Sequence, residues 1–173
     1  MAGPLPGAHA GKPGLSAGTH PVPANGVIGT DASGRVHRFP LRVYFEDTDF
    51  SGVAYHASYL RWMERARSDL LRVLGIDQRA AFEAGEGVYA VADLSIRYRL
   101  PARMEDDLLV ETRCEALGGA SVTMDQRILR GGKLLAAATV RAGFLTPGGR
   151  PRRQPADWMA RFATLMPVSG EPA

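Results

Sequence analysis

Apolar positions along this chain change their spacing twice, and each change marks a boundary between elements. From residue 36 to 45, large apolar side chains share a short stretch with Pro40 and two arginines, which predicts a first strand. Between 58 and 74 the spacing turns helical. Leu60, Met63, Leu70, Leu71 and Leu74 fall three, four and seven apart, with Ala66 and Arg67 in the middle turn. Arg61, Arg65, Ser68, Asp69 and Arg72 then belong to the opposite faces, and Gly75 is placed to stop the helix. A short second helix is expected over 77–84. After Gly85 and Gly87 the period falls to two. Four strands follow, over 88–100, 107–117, 120–129 and 134–145. Leu94, Ile96 and Tyr98 alternate with Ser95, Arg97 and Arg99. Val122, Met124 and Ile128 keep the same rhythm, with Gln126 as the polar interruption. Gly118-Gly119 and Gly131-Gly132 are hairpin turns, and Pro101 separates the first pair of these strands. A last amphipathic helix over 156–165 would pack Trp158, Phe162 and Leu165.

One strand, one long helix and four more antiparallel strands define an α+β class in which a five-stranded sheet and a helix bury each other's apolar faces. Residues 1–34 are rich in Gly, Pro, Ala, Ser and Thr, so they read as a disordered tail too poor in apolar groups to offset chain entropy. Residues 35–166 form the single domain, and 167–173 a flexible C-terminus. Pro4, Pro6 and Pro13 interrupt any secretory core near the start, so export is not expected and a cytoplasmic location is.

Composition narrows the classes without choosing one. The 173 residues are 45% hydrophobic and 23% charged, ordinary for a soluble domain, and no apolar run nears the ~20 residues of a membrane-spanning helix. The net charge of +3 is mild and comes with no nucleic-acid motif; an anionic small molecule fits it equally well. A single cysteine, Cys114, excludes an intramolecular disulfide framework. It lies in a strand pattern with nothing nearby to lower its pKa, so it reads as a small core residue.

Chemistry concentrates between Tyr44 and Tyr59, where Glu46, Asp47, Asp49, His56 and the tyrosines crowd a strand-to-helix junction. A helix start offers unpaired N–H groups and the positive end of the helix dipole, which polarise a carbonyl oxygen and stabilise an oxyanion. Taken singly, Asp and Thr before a helix are turn and cap residues, and Gly52 serves a turn. A metal site from Glu46, Asp47, Asp49 and His56 has no recognised ligand spacing and ranks last.

Taken together, the run Asp47-Thr48-Asp49, Gly52-Val53, Tyr55-His56, Tyr59 and Glu64-Arg65-Ala66-Arg67 resembles the tol-pal system-associated acyl-CoA thioesterases, within the wider 4-hydroxybenzoyl-CoA thioesterase family. The resemblance continues through 98–103, 106–108 and Gln126-Arg127-Ile128. It implies a hotdog fold, a homodimer or homotetramer, and hydrolysis of acyl-CoA thioesters with no cofactor beyond the coenzyme A of the substrate. It places the catalytic aspartate at Asp49, a histidine and the polarising backbone N–H at His56, and substrate contacts at Tyr55, Tyr59 and Glu64. Where members of that subgroup often carry a tyrosine, this chain has Phe45, and its hydroxyl is missing.

Asp49 would attack the thioester carbon to give a mixed anhydride, or draw a proton from an attacking water; both routes stay open. Glu64 is a rival acid, favoured as a structural partner of Arg67 or Arg61. Arg99, Arg103 and the Arg150, Arg152, Arg153 cluster are the basic groups available to coenzyme A phosphates. Acyl carrier protein is a second candidate carrier; nucleic acid and stable membrane insertion are not expected. The rival functions are a hotdog dehydratase, whose motif is missing, and a non-catalytic acyl-CoA-binding module.

Overall fold

A helix that hides one stripe and a sheet that hides one face need each other, and here they meet directly. The computed structural model describes residues 26–167. Its elements are β1 (Val27–Asp31), β2 (Gly34–Arg42), a 3-10 turn (Phe45–Asp47), α1 (His56–Val73), α2 (Gln78–Glu83), β3 (Val88–Tyr98), β4 (Asp107–Leu117), β5 (Ser121–Arg130), β6 (Lys133–Leu145) and α3 (Ala156–Ala163). All six strands form one antiparallel sheet in the order β1-β2-β4-β5-β6-β3. Between β2 and β3 the chain leaves one side of the sheet, runs through α1, and returns at the far edge.

The pattern predicts five strands; the structure has six. The additional one, β1, lies inside the segment expected to be a tail, so order begins before residue 35. Its apolar content is small and Val27 is largely exposed. Turn chemistry and charge add to the packing of Ile28 against the core. Ser33 N–H donates to the Asp31 carboxylate at 2.9 Å, and Gly34 takes a positive φ of 103° that a side chain would resist. Arg38 and Arg113 both pair with Asp31, and Gly26 N–H donates to Asp69 at 3.0 Å. Residues 1–25 of the expected tail and 168–173 of the expected C-terminus lie outside the described residues.

The long helix differs from expectation in its buried face. Tyr59, Trp62, Met63, Ala66 and Leu70 are the buried apolar positions, while Leu60, Leu71 and Leu74 are only half-buried. Asp69, expected on an outer face, is buried against His37 with Nε2 to Oδ2 at 2.9 Å. Apolar spacing misplaces this stripe because an aspartate and a tyrosine with internal partners occupy it. Gly75 ends the helix at φ 69°: its N–H reaches Arg72 O, and Ile76 N–H reaches Leu71 O at 2.8 Å, a Schellman closure.

Two apolar clusters fill the space between helix and sheet. One joins Tyr59, Trp62 and Met63 to Phe39, Val43, Val110 and Ile128; the other joins Leu70 to Phe144, Trp158, Phe162 and Leu165. Side chains of this size contribute roughly 1.5–3 kcal/mol each when fully buried. An extra residue in β3 between Val91 and Asp93 shifts the register, so Tyr89 and Val91 share a face with Leu94, Ile96 and Tyr98.

Candidate active site

The first carboxylate of the Asp-Thr-Asp run builds the site, and the second is left exposed on it. Asp47 is 3% exposed. Its carboxylate accepts from Tyr44 N–H at 3.0 Å and from the Trp62 indole N–H at 3.2 Å. Its carbonyl accepts from Tyr55 N–H and from the Ser58 hydroxyl, both at 2.9 Å. One residue thus ties the end of the 3-10 turn to the first two turns of α1.

Between these anchors the chain makes a closed excursion. Thr48 bridges Ala54, Asp49 N–H donates to Val53 O at 2.9 Å, and Gly52 N–H returns to Asp49 O at 3.0 Å. Gly52 sits at φ 73°, which the turn requires. Asp49 is exposed. Its Oδ1 accepts from Ser51 N–H at 2.8 Å and from the Ser51 hydroxyl at 2.5 Å. The Ser51 hydroxyl and then the Ser51 N–H hold its carboxyl below the usual aspartate range, against the opposing effect of burial and with a lesser contribution from the Val53 backbone. Asp49 is therefore an anion at neutral pH. Its carboxylate closes the turn through Ser51 and remains accessible from solution.

His56 is the first residue of α1, and among the described residues no side chain caps that terminus. The amides of His56 and Ala57 precede the first intrahelical bond, so they point outward as donors. The imidazole is exposed and lies 4.3 Å from the Tyr55 ring, centroid to centroid. Beside it opens a cleft lined by Val53, Ala54, His56, Tyr59, Tyr98 and Arg99. Tyr59 is buried and its hydroxyl accepts from Ala102 N–H at 2.8 Å. Tyr98, from edge strand β3, meets Tyr59 edge to face and donates its hydroxyl to His56 O at 3.1 Å. This residue carries no chemical signal in sequence, because it reads simply as one more alternating apolar position.

Asp49, Tyr55, His56 and Tyr59 are thus gathered on one loop and helix start, although the Asp49 carboxylate is not among the groups lining the cleft. Glu64 is not gathered there. It lies eight residues further along α1, roughly 12 Å at the helical rise, and accepts from the Ser68 hydroxyl at 2.7 Å. Of the basic groups, Arg99 borders the cleft and Arg103 pairs its backbone with Val53. Arg152 and Arg153 line a separate hollow beside Glu86 and Phe144. Cys114 is buried and its thiol is pushed up to about 11 by burial, so it stays protonated and inert.

A sheet curled on a single helix, with the polar loop delivering the chain into that helix, is the architecture of the hotdog thioesterases. Residues 43–163 match the Thioesterase-like superfamily, and the chain belongs to it. Among its relatives is the acyl-CoA thioesterase YbgC of Haemophilus influenzae, 39% identical over 128 residues, spanning 73% of this chain and 94% of that protein. A probable thioesterase from Bartonella henselae superposes with a TM-score of 0.66 at 39% identity, covering 69% of this chain and 99% of that one. A thioesterase from Thermus thermophilus, solved with coenzyme A and Zn, gives a TM-score of 0.62 at 27% identity, covering 74% of this chain and 92% of that one.

Proposed function

We propose that this protein is an acyl-CoA thioesterase in which the thioester carbonyl sits against the open start of α1 while Asp49 drives hydrolysis. One observation supports this reading above the others: an uncapped helix terminus faces a cleft, and an ionised aspartate stands on the loop feeding that helix. The His56 and Ala57 amides polarise the carbonyl and take up the developing negative charge on its oxygen. Asp49 attacks the carbonyl carbon, expelling the coenzyme A thiolate and leaving a mixed anhydride for water to open, or it removes a proton from the water that attacks. His56 orients substrate or water, with the tilted Tyr55 ring packed against it. Tyr59 shapes the cleft wall, and Arg99 is the basic group nearest to receive a coenzyme A phosphate. Glu64 contacts substrate or neighbouring side chains without breaking bonds.

Tyr44, Phe45, Phe50 and Tyr55 are exposed around Asp49, and Phe50 is fully so. Among the described residues edge strand β3 pairs only with β6, and it exposes Val91 and Tyr98. A long unpaired edge favours strand addition. These features support a homodimer or homotetramer in which a second copy covers the aspartate loop. Among the described residues no helix is long and apolar enough to cross a membrane. The reaction is placed in the cytoplasm, where coenzyme A thioesters occur. Acyl carrier protein as an alternative carrier, and a tie to the tol-pal system, rest on the sequence resemblance.

Thiol release from a panel of acyl-CoAs tests the assignment. Asp49→Asn should lower turnover by about 10²–10⁴-fold while leaving thermal unfolding nearly unchanged, because an amide oxygen still accepts from Ser51. Near-normal turnover by that variant, or a larger loss in Glu64→Gln at equal stability, removes Asp49 from its role.

A further inference from the structure

A second cleft opens along α1, away from the His56 terminus. Its walls are apolar: Leu70 and Leu71 from the helix, Val122 and Met124 from β5, Ala142 from β6 and Phe162 from α3. At its rim stands Arg67, half-buried, with Glu64 and Ser68 beside it. Arg67 donates through one guanidinium nitrogen to Gln126 Oε1 at 2.7 Å. Gln126 is fully buried, and its amide nitrogen donates to Met63 O and to Thr112 Oγ1, each at 3.0 Å. An amide buried in the core thus holds a cation at the mouth of an apolar pocket.

The other polar side chains around the pocket each make a hydrogen bond within the protein. Ser68 donates to Glu64, Gln78 Oε1 takes Tyr89 N–H at 3.0 Å, and the Tyr89 hydroxyl donates to Gln154. Among the described residues, no carboxylate lies within ion-pair distance of Arg67, and its remaining nitrogens meet no acceptor there. Glu64 exerts a favourable field without contact, and burial works against the charge. A partly desolvated guanidinium with spare donors is matched by a carboxylate, which it can grip through two parallel N–H bonds.

We infer that this cleft is a binding site for a free alkyl carboxylate, with the tail against Leu70, Met124 and Phe162 and the carboxylate on Arg67. Arg67 lies eleven residues after His56, roughly 16 Å along the helix axis, so a short acyl chain held at His56 does not reach it. The ligand enters from solution as the free acid, the product class of the proposed hydrolysis; only that choice of source rests on the thioesterase reading.

Titration calorimetry of the full chain with octanoate tests the site without any thioester, so its result is independent of whether hydrolysis is confirmed. Octanoate should bind at least about tenfold more tightly than octanol. Arg67→Gln should abolish that preference and Arg67→Lys should retain part of it, with saturating coenzyme A changing neither affinity. Should Arg67→Gln fail to fold, the octanoate–octanol ratio on the native protein and in Arg67→Lys decides. Equal affinities for acid and alcohol, an unchanged preference in a folded Arg67→Gln variant, or displacement of octanoate by coenzyme A overturns the inference.

Discussion

Two aspartates two positions apart do opposite work because one faces the interior and the other does not. Asp47 exchanges every oxygen for a protein donor, whereas Asp49 binds only its own turn and stays accessible. In the sequence both read as turn residues before a helix; only the resemblance separates them, since exposure is a tertiary property. Ser51 is legible there merely as a small polar residue, yet its hydroxyl is the first cause of the lowered Asp49 pKa. That sets a pH prediction. The proposed role of Asp49 requires the anion, so the acid limb of kcat/KM should fall below the ordinary aspartate value of about 3.9. Ser51→Ala should move that limb upward, with turnover at neutral pH little altered. An unmoved limb would detach the titrating group from Asp49.

At the level of elements, periodicity locates the long helix and the last four strands to within a few residues, because α1, β4, β5 and β6 each bury one face and β3 keeps the same alternation while staying half-exposed. It does not locate β1, where Ile28 is the one apolar side chain packed on the core and Asp31, Gly34 and two arginines supply the rest. Nor does it identify Trp62, which is fully buried and joins packing to the Asp47 anchor. Trp62→Ala should destabilise by about 3–5 kcal/mol, the range for emptying a large aromatic site. Trp62→Phe keeps most of the packing but strands an Asp47 oxygen, at a cost of about 1–3 kcal/mol. Urea unfolding of both variants measures these losses, and the Phe variant should also lose turnover as the loop loosens. A Phe variant with wild-type stability would show that the indole bond adds nothing.

For the molecule as a whole, α+β architecture is readable from element order, while strand order is not, because the crossover through α1 leaves no local trace. The polar break at Gln126 is visible in the pattern, but its meaning requires Met63, Thr112 and Arg67 to converge on it. Global stability should carry the imprint of His37. Burial lowers its pKa more than the Asp69 contact raises it, so the folded ring is held neutral. The unfolded chain takes up that proton more readily. Stability is therefore fully present above the ordinary histidine value of about 6.5 and declines as pH falls toward the folded value. Urea midpoints should drop between about pH 7.5 and 5.5, on either side of that value, and His37→Gln should flatten the drop. In sedimentation experiments the native protein should run as two or four chains, and Val91→Lys should shift it toward one.

The two borders of the sheet are unlike. On one side lies β1, five residues long and clasped by charges; on the other lies β3, eleven residues long. A ribbon with a blunt margin and a receptive one can grow from a single side. Self-association through β3 by a twofold operation uses up that margin in both molecules at once, so accretion stops at a finite particle and fibrous polymerisation has no second surface on which to continue.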